Sequence, residues 1–156
     1  MGFKQFVTGV GFKFLGKGLV SCSKIEKVIQ KELEFYDDGF TIELKVFNTD
    51  TKVAIEKTGN NFKYLGGKYT KTPDLSIIFK SYEGALLLIL GRIGVYEGYA
   101  QHRFIVKGDI IASMPFIRIL YYVEAYLFPK SICKRVLKEI PERSSPKIKA
   151  YLHLIA

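Results

Sequence analysis

Helical and alternating hydrophobic periods follow one another along this chain in an order that predicts an α+β domain with about five strands. Three observations carry that expectation. Apolar residues alternate at period two within 40–46, 53–55, 62–69, 75–79 and 103–107. A stripe at helical spacing, Ile25, Val28, Ile29, Leu33 and Tyr36, precedes the first of these runs. Two further segments, 85–90 and 110–128, are apolar almost all round, as expected of helices with no wetted face.

Residues 1–20 hold five glycines, four phenylalanines and no acid. Phe3, Phe6, Val7, Val10 and Phe14 fall at helical spacing, with Lys4, Lys13 and Lys17 off that stripe. Such a segment suits an anionic membrane surface, with Phe3, Phe6 and Phe14 in the headgroups and Lys4, Lys13 and Lys17 on the lipid charge. Packing on the domain's own core, or loose order from helix-weakening glycines, fits the same residues.

Ser23-Lys24-Ile25-Glu26 reads as a capping box that opens the next helix, and Asp37-Asp38-Gly39 stops it. Phe40, Ile42, Leu44 and Val46 form a strand, residues 48–51 turn it, and Val53 and Ile55 carry the return. Gly59-Asn60-Asn61 is the next turn, and a third strand over 62–69 is interrupted at Gly66-Gly67. Leu75, Ile77 and Phe79 mark a fourth strand, Ser81 caps a helix, and Gly91 and Gly94 end it before a short irregular piece. Arg103 to Lys107 is the fifth strand. Asp109 then caps the aromatic-rich helix 110–128, in which Pro115 predicts a kink or the true first turn, and Pro129 ends it. Two short helices over 131–140 and 146–155 complete one domain over 1–156.

Composition narrows the function classes. Of 156 residues, 48% are hydrophobic, and 12 Phe with 10 Tyr argue against disorder. The net charge of +9 favours anionic partners, but the lysines and arginines are scattered, with neither a basic helix nor an aromatic nucleic-acid motif. Cys22 and Cys133 lack zinc or redox spacing, which makes a reducing cytoplasm the expected compartment, with peripheral membrane contact. No run reaches the ~20 uninterrupted apolar residues of a membrane span. Neither a cleavable signal nor a lipidation motif is expected, since Phe6 occupies the myristoylation position for Ser or Thr.

Catalytic motifs fail on their own chemistry. Gly11-Phe12-Lys13-Phe14-Leu15-Gly16-Lys17-Gly18 has phosphate-loop spacing, but bulky Phe12, Phe14 and Leu15 occupy the wrap and Gly18 stands at the metal-holding position. The Ser-x-x-Lys pairs at Ser21 and Ser131 lack their partner elements. His102 and His153 sit on separate elements without acidic or Cys neighbours. The expectation is a protein that is not an enzyme and holds no metal or cofactor.

Asp74-Leu75-Ser76-Ile77, then Leu86 to Arg92 with its Gly-basic ending, then Tyr99-Ala100-Gln101-His102-Arg103-Phe104-Ile105-Val106-Lys107-Gly108-Asp109 together resemble the sterol carrier protein type 2 family. The likeness reaches, more weakly, from about Ile25 to Leu120, and His102 stands where that passage usually has Gly. The resemblance implies a mixed five-stranded sheet covered on one side by helices, enclosing an apolar tunnel for a sterol, fatty acid or other lipid. Residues 1–20 and the helices over 129–156 are additions to it. Leu86, Leu87, Leu90, Ile93, Tyr99, Phe104, Met114, Ile117, Leu120 and Tyr121 are the candidate walls, and Gln101 is the candidate polar contact. The function expected is non-enzymatic lipid binding or transfer. The alternative is an accessory subunit that presents a lipid-like intermediate, such as a quinone precursor, to enzymes, with the aromatic helix as part of its contact surface.

Overall fold

The computed structural model describes residues 2–129, 132–134, 141 and 146–155. Helix α1 (Phe3–Ile25) and helix α2 (Lys27–Leu33) lead into strands β1 (Thr41–Val46), β2 (Lys52–Thr58) and β3 (Asn61–Gly66). Strand β4 (Leu75–Phe79), helices α3 (Tyr82–Ile89) and α4 (Val95–Ala100) and strand β5 (Phe104–Gly108) follow. Helices α5 (Ile110–Leu127) and α6 (Lys147–Ile155) close the order.

The strands form one mixed sheet in the order β3-β2-β1-β4-β5, in which β1 and β4 run parallel and the other neighbours antiparallel. Period-two alternation therefore builds rows across the sheet. Val53, Leu44, Ile77 and Val106 lie side by side on one face, and Val46, Phe79 and Phe104 make the next row. These rows enter the main hydrophobic core with Phe12, Leu19, Ile29, Leu33, Phe116, Ile119 and Tyr126 from the helices. The opposite face carries Ala54, Glu43, Ser76 and Lys107 in one row and, among the described residues, has no helix over it. The sheet is thus covered on one side, as predicted. Glu43 is nevertheless buried there, because Tyr69 and Ser76 both donate hydroxyl hydrogen bonds to its carboxylate.

Several local expectations change. Ser23 does not cap α2: its hydroxyl donates to the Val20 carbonyl and accepts from the Phe62 amide, so α1 runs on through Ile25. Glu26 is the cap instead, its side chain accepting from the Val28 amide. The piece between Gly94 and β5 is not irregular but forms α4, and the third strand stops at Gly66. Helix α5 begins at Ile110 and continues through Pro115, so the proline does not mark its first turn. Of the predicted helix 131–140, residues 132–134 are helical and the rest lie outside the described residues.

Two expectations about apolar helices are also corrected. Helix α3 is not buried all round: Ala85 and Leu88 are buried, while Leu86, Leu87 and Ile89 are half-buried and the following Leu90 is 50% exposed. Helix α5, by length and composition, is apolar enough to cross a membrane, but 67% of it is buried inside the fold. It is a core helix along most of its length, with the aromatic side chains of Phe116 and Tyr126 fully buried.

A candidate lipid slot beneath the first helix

Helix α1 decides the shape of the candidate site. Three of its glycines, a residue that weakens a helix by up to ~1 kcal/mol relative to Ala, serve close packing and not phosphate wrapping. A Cβ at Gly11 would stand 2.5 Å from Ile89 Cγ2 of α3, and one at Gly18 would stand 2.5 Å from Leu127 Cδ1 of α5. Gly16 brings the helix equally near the sheet, where a Cβ would meet Tyr64 at 3.0 Å and Val53 at 3.1 Å. The helix therefore lies low across α3, α5 and the β2–β3 hairpin, and Phe12 reaches through to Phe79, with ring centroids 5.8 Å apart.

Between these three helices is an enclosed slot. Gly11, Phe14 and Leu15 of α1 form its roof, Leu88 and Ile89 of α3 one wall, and Leu120, Val123, Glu124 and Leu127 of α5, with Phe128, the other. Its volume is about 20 Å³, room for roughly one water. Nine of these ten positions are apolar or glycine. The tenth, Glu124, is only 4% exposed. Its Oε1 accepts from the Val95 amide at 2.8 Å, satisfying the first amide of α4. Its Oε2 is buried without a hydrogen-bond partner among the described residues. Burial pushes the carboxyl up to about 8, against the smaller opposing effect of the Val95 amide.

Two larger hollows are open and polar-rimmed. One of about 500 Å³ runs along the outer side of α1 past Phe6, Val10 and Lys13 to Asp50 and Lys52. The other, about 410 Å³, lies on the uncovered sheet face between Lys45, Asp74 and Lys107. Among the described residues no group of three or more His, Cys, Asp or Glu could hold a metal ion. Cys22 and Cys133 are both buried, and burial, with Glu26 second, pushes the Cys22 thiol up to about 12.

The predicted wall residues do not converge on the slot. Leu120 lines it, whereas Ile93, Phe104 and Ile117 are buried elsewhere in the core. Leu86, Leu87 and Tyr121 are half-buried, and Tyr121 stacks on Tyr96 with centroids 4.8 Å apart. Leu90, Tyr99 and Met114 are exposed, and Tyr99 leans on Phe104 at 5.9 Å. Gln101 is on the surface, donating to Glu97 at 3.0 Å and accepting from Arg103 at 3.1 Å. The predicted membrane residues share the outer half of α1: Phe3 is 81% exposed, Phe6 and Lys13 are exposed, and Phe14 is 39% exposed at the slot's edge. Lys4 is not uncompensated, since it pairs with Glu83 of α3 at 2.7 Å, and Lys17 lies over the Tyr64 ring at 5.8 Å. Sequence reasoning missed Glu124, whose one signal was being the sole acid of an otherwise greasy helix.

No protein-family model matches the chain, and no curated protein matches it in sequence. Among solved structures it is similar to one described as "UbiJ-SCP2 Ubiquinone synthesis protein", with a TM-score of 0.49 and 18% identity over 79% of this chain and 100% of that one. The five-stranded mixed sheet with helices on one side is the architecture that the sterol-carrier resemblance implies.

Proposed function

We propose that this protein binds a lipid without transforming it, in the slot under α1. The observation that carries the reading is the enclosed apolar space closed by a glycine-seated helix. The slot holds about one water as it stands, so a ligand enters by parting α1 from α3 and α5. That exposes side chains such as Leu15, Leu88 and Leu120, at roughly 1.5–3 kcal/mol each, but the lipid takes their place against the walls. Each methylene transferred gains about 0.8 kcal/mol, so a sixteen-carbon chain supplies on the order of 13 kcal/mol before binding costs.

The outer half of α1 supplies the route. Phe3, Phe6, Val10 and Phe14 are exposed along the same helix that roofs the slot. An anionic bilayer that takes up these side chains pulls on the element that must move, and Lys13 adds attraction of about 1 kcal/mol near such a surface. We read the protein as cytoplasmic and as a peripheral visitor to membranes.

The test is extraction of the purified protein with organic solvent, followed by mass spectrometry and by titration with a fluorescent long-chain lipid. A recovered lipid or saturable uptake supports the reading. A ligand-free protein that ignores the probe contradicts it.

One observation favours an accessory role, in which the protein presents a lipid-like intermediate such as a quinone precursor to enzymes. Ile105 of β5 and Ile110, Ile111 and Met114 at the start of α5 are all exposed, Ile111 to 69%. Exposed apolar residues gathered this way suit a protein partner. Capture of a biosynthetic enzyme by the intact chain, lost on replacing Ile110 and Ile111 by Ser, distinguishes that role from free carriage.

A further inference from the structure

Glu124 is the only ionisable side chain in the slot's lining among the described residues. Its two oxygens are inequivalent. Oε1 is committed to the Val95 amide, and Oε2 is buried with nothing to bond. A buried polar atom in an apolar space costs stability unless something completes its hydrogen bond. In a protonated carboxyl the carbonyl oxygen is the stronger hydrogen-bond acceptor, so the Val95 amide on Oε1 favours the acidic proton on Oε2. Burial holds this group protonated into the neutral range, so Oε2 is an O–H donor there.

We propose that Glu124 Oε2 is the head-group contact of the slot and that it selects uncharged lipids ending in a hydrogen-bond-accepting oxygen, an alcohol or a carbonyl. This rests on the lipid-binding reading above. The selection has two parts. A hydroxyl or carbonyl oxygen completes the bond that Oε2 lacks. An ionised carboxylate or phosphate would enter a space whose lining, among the described residues, holds no Lys, Arg or His to act as counter-ion. The preference therefore runs against ionised fatty acids, although their hydrocarbon chains fit as well.

Pyrene-labelled chains of equal length, ending in a methyl, a hydroxyl or a carboxylate, test this on the full-length protein at neutral pH. The wild type should bind the hydroxyl chain about tenfold more tightly than the other two, the worth of one completed hydrogen bond. Glu124→Leu should bring the hydroxyl chain down to the affinity of the methyl chain. Glu124→Gln, which keeps an acceptor for the Val95 amide and a donor for the ligand, should retain the preference. A wild type that prefers the carboxylate chain, or treats all three alike, overturns the proposal whether or not the Leu variant folds. So does a Glu124→Leu protein that still holds the hydroxyl chain within about twofold of wild type. If the wild type takes up none of the chains, the lipid-binding reading falls as well; if it binds the methyl chain but shows no head-group preference, only the role of Glu124 falls.

Discussion

Burial of Glu124 beside Leu120, Val123 and Leu127 ties the stability of this protein to pH. The carboxyl titrates near 4.5 when unperturbed and is pushed up to about 8 in the fold. A raised folded-state value means that its contribution is complete below 4.5 and is lost as pH climbs through 8. Glu124→Gln does not titrate, so its stability advantage over wild type should grow by on the order of 3 kcal/mol between pH 5 and pH 8.5. Denaturant midpoints at the two pH values check this, and a constant difference would contradict it. His102 makes a second residue-scale case. It stands where the sterol-carrier resemblance has glycine, and its φ of 56° lies in the left-handed region. His102→Gly should therefore be neutral or stabilising by up to ~1 kcal/mol, and His102→Val clearly destabilising, in thermal melts. Here the motif resemblance located the unusual position, but only the backbone angle explains why glycine suits it.

Helix α1 shows where reading the chain succeeded and where it stopped. Its exposed Phe stripe was legible from spacing, because a period near 3.6 survives in any helix that has an outer face. Its length was not legible, because four glycines disguise a helix of 23 residues whose low seat on α3, α5 and the β2–β3 hairpin needs three of them, Gly11, Gly16 and Gly18. Gly9 separates these effects, since nothing lies within 4 Å of a Cβ built there. Gly9→Ala should stabilise by about 0.5–1 kcal/mol through helix propensity alone, whereas Gly11→Ala must displace Ile89 and should gain less or lose. Deleting residues 1–18 removes Phe12, buried at 1% exposure, and should unfold the protein. Replacing Phe3 and Phe6 by Ser leaves that core intact and should weaken sedimentation with anionic vesicles, an effect that high salt should deepen. Unchanged sedimentation would move the membrane contact elsewhere. Helix α4 escaped notice for a related reason: Gly94 read as a breaker, yet it is the N-cap of α4, and Gly98 within that helix packs against Phe104.

At the scale of the whole molecule, the strands were the most legible part, because one buried face forces an alternation that any single strand displays. The slot was the least legible. It forms where Gly11, Leu88 and Leu120 meet, from helices far apart in sequence, and no periodicity encodes that meeting. One main core joins α1, the sheet, α5 and Ala150 of α6, and the single-domain reading predicts one cooperative unfolding transition, coincident by fluorescence and circular dichroism. The central claim is that a lipid lies between α1, α3 and α5. Photocrosslinking with a diazirine-bearing long-chain alcohol, followed by peptide mapping, tests it most directly. The account predicts adducts at Phe14 and Leu15, at Leu88 and Ile89, and between Leu120 and Leu127. Labelling confined to Ile105, Ile110, Ile111 and Met114, or to the uncovered sheet face around Lys45 and Ile78, would contradict it.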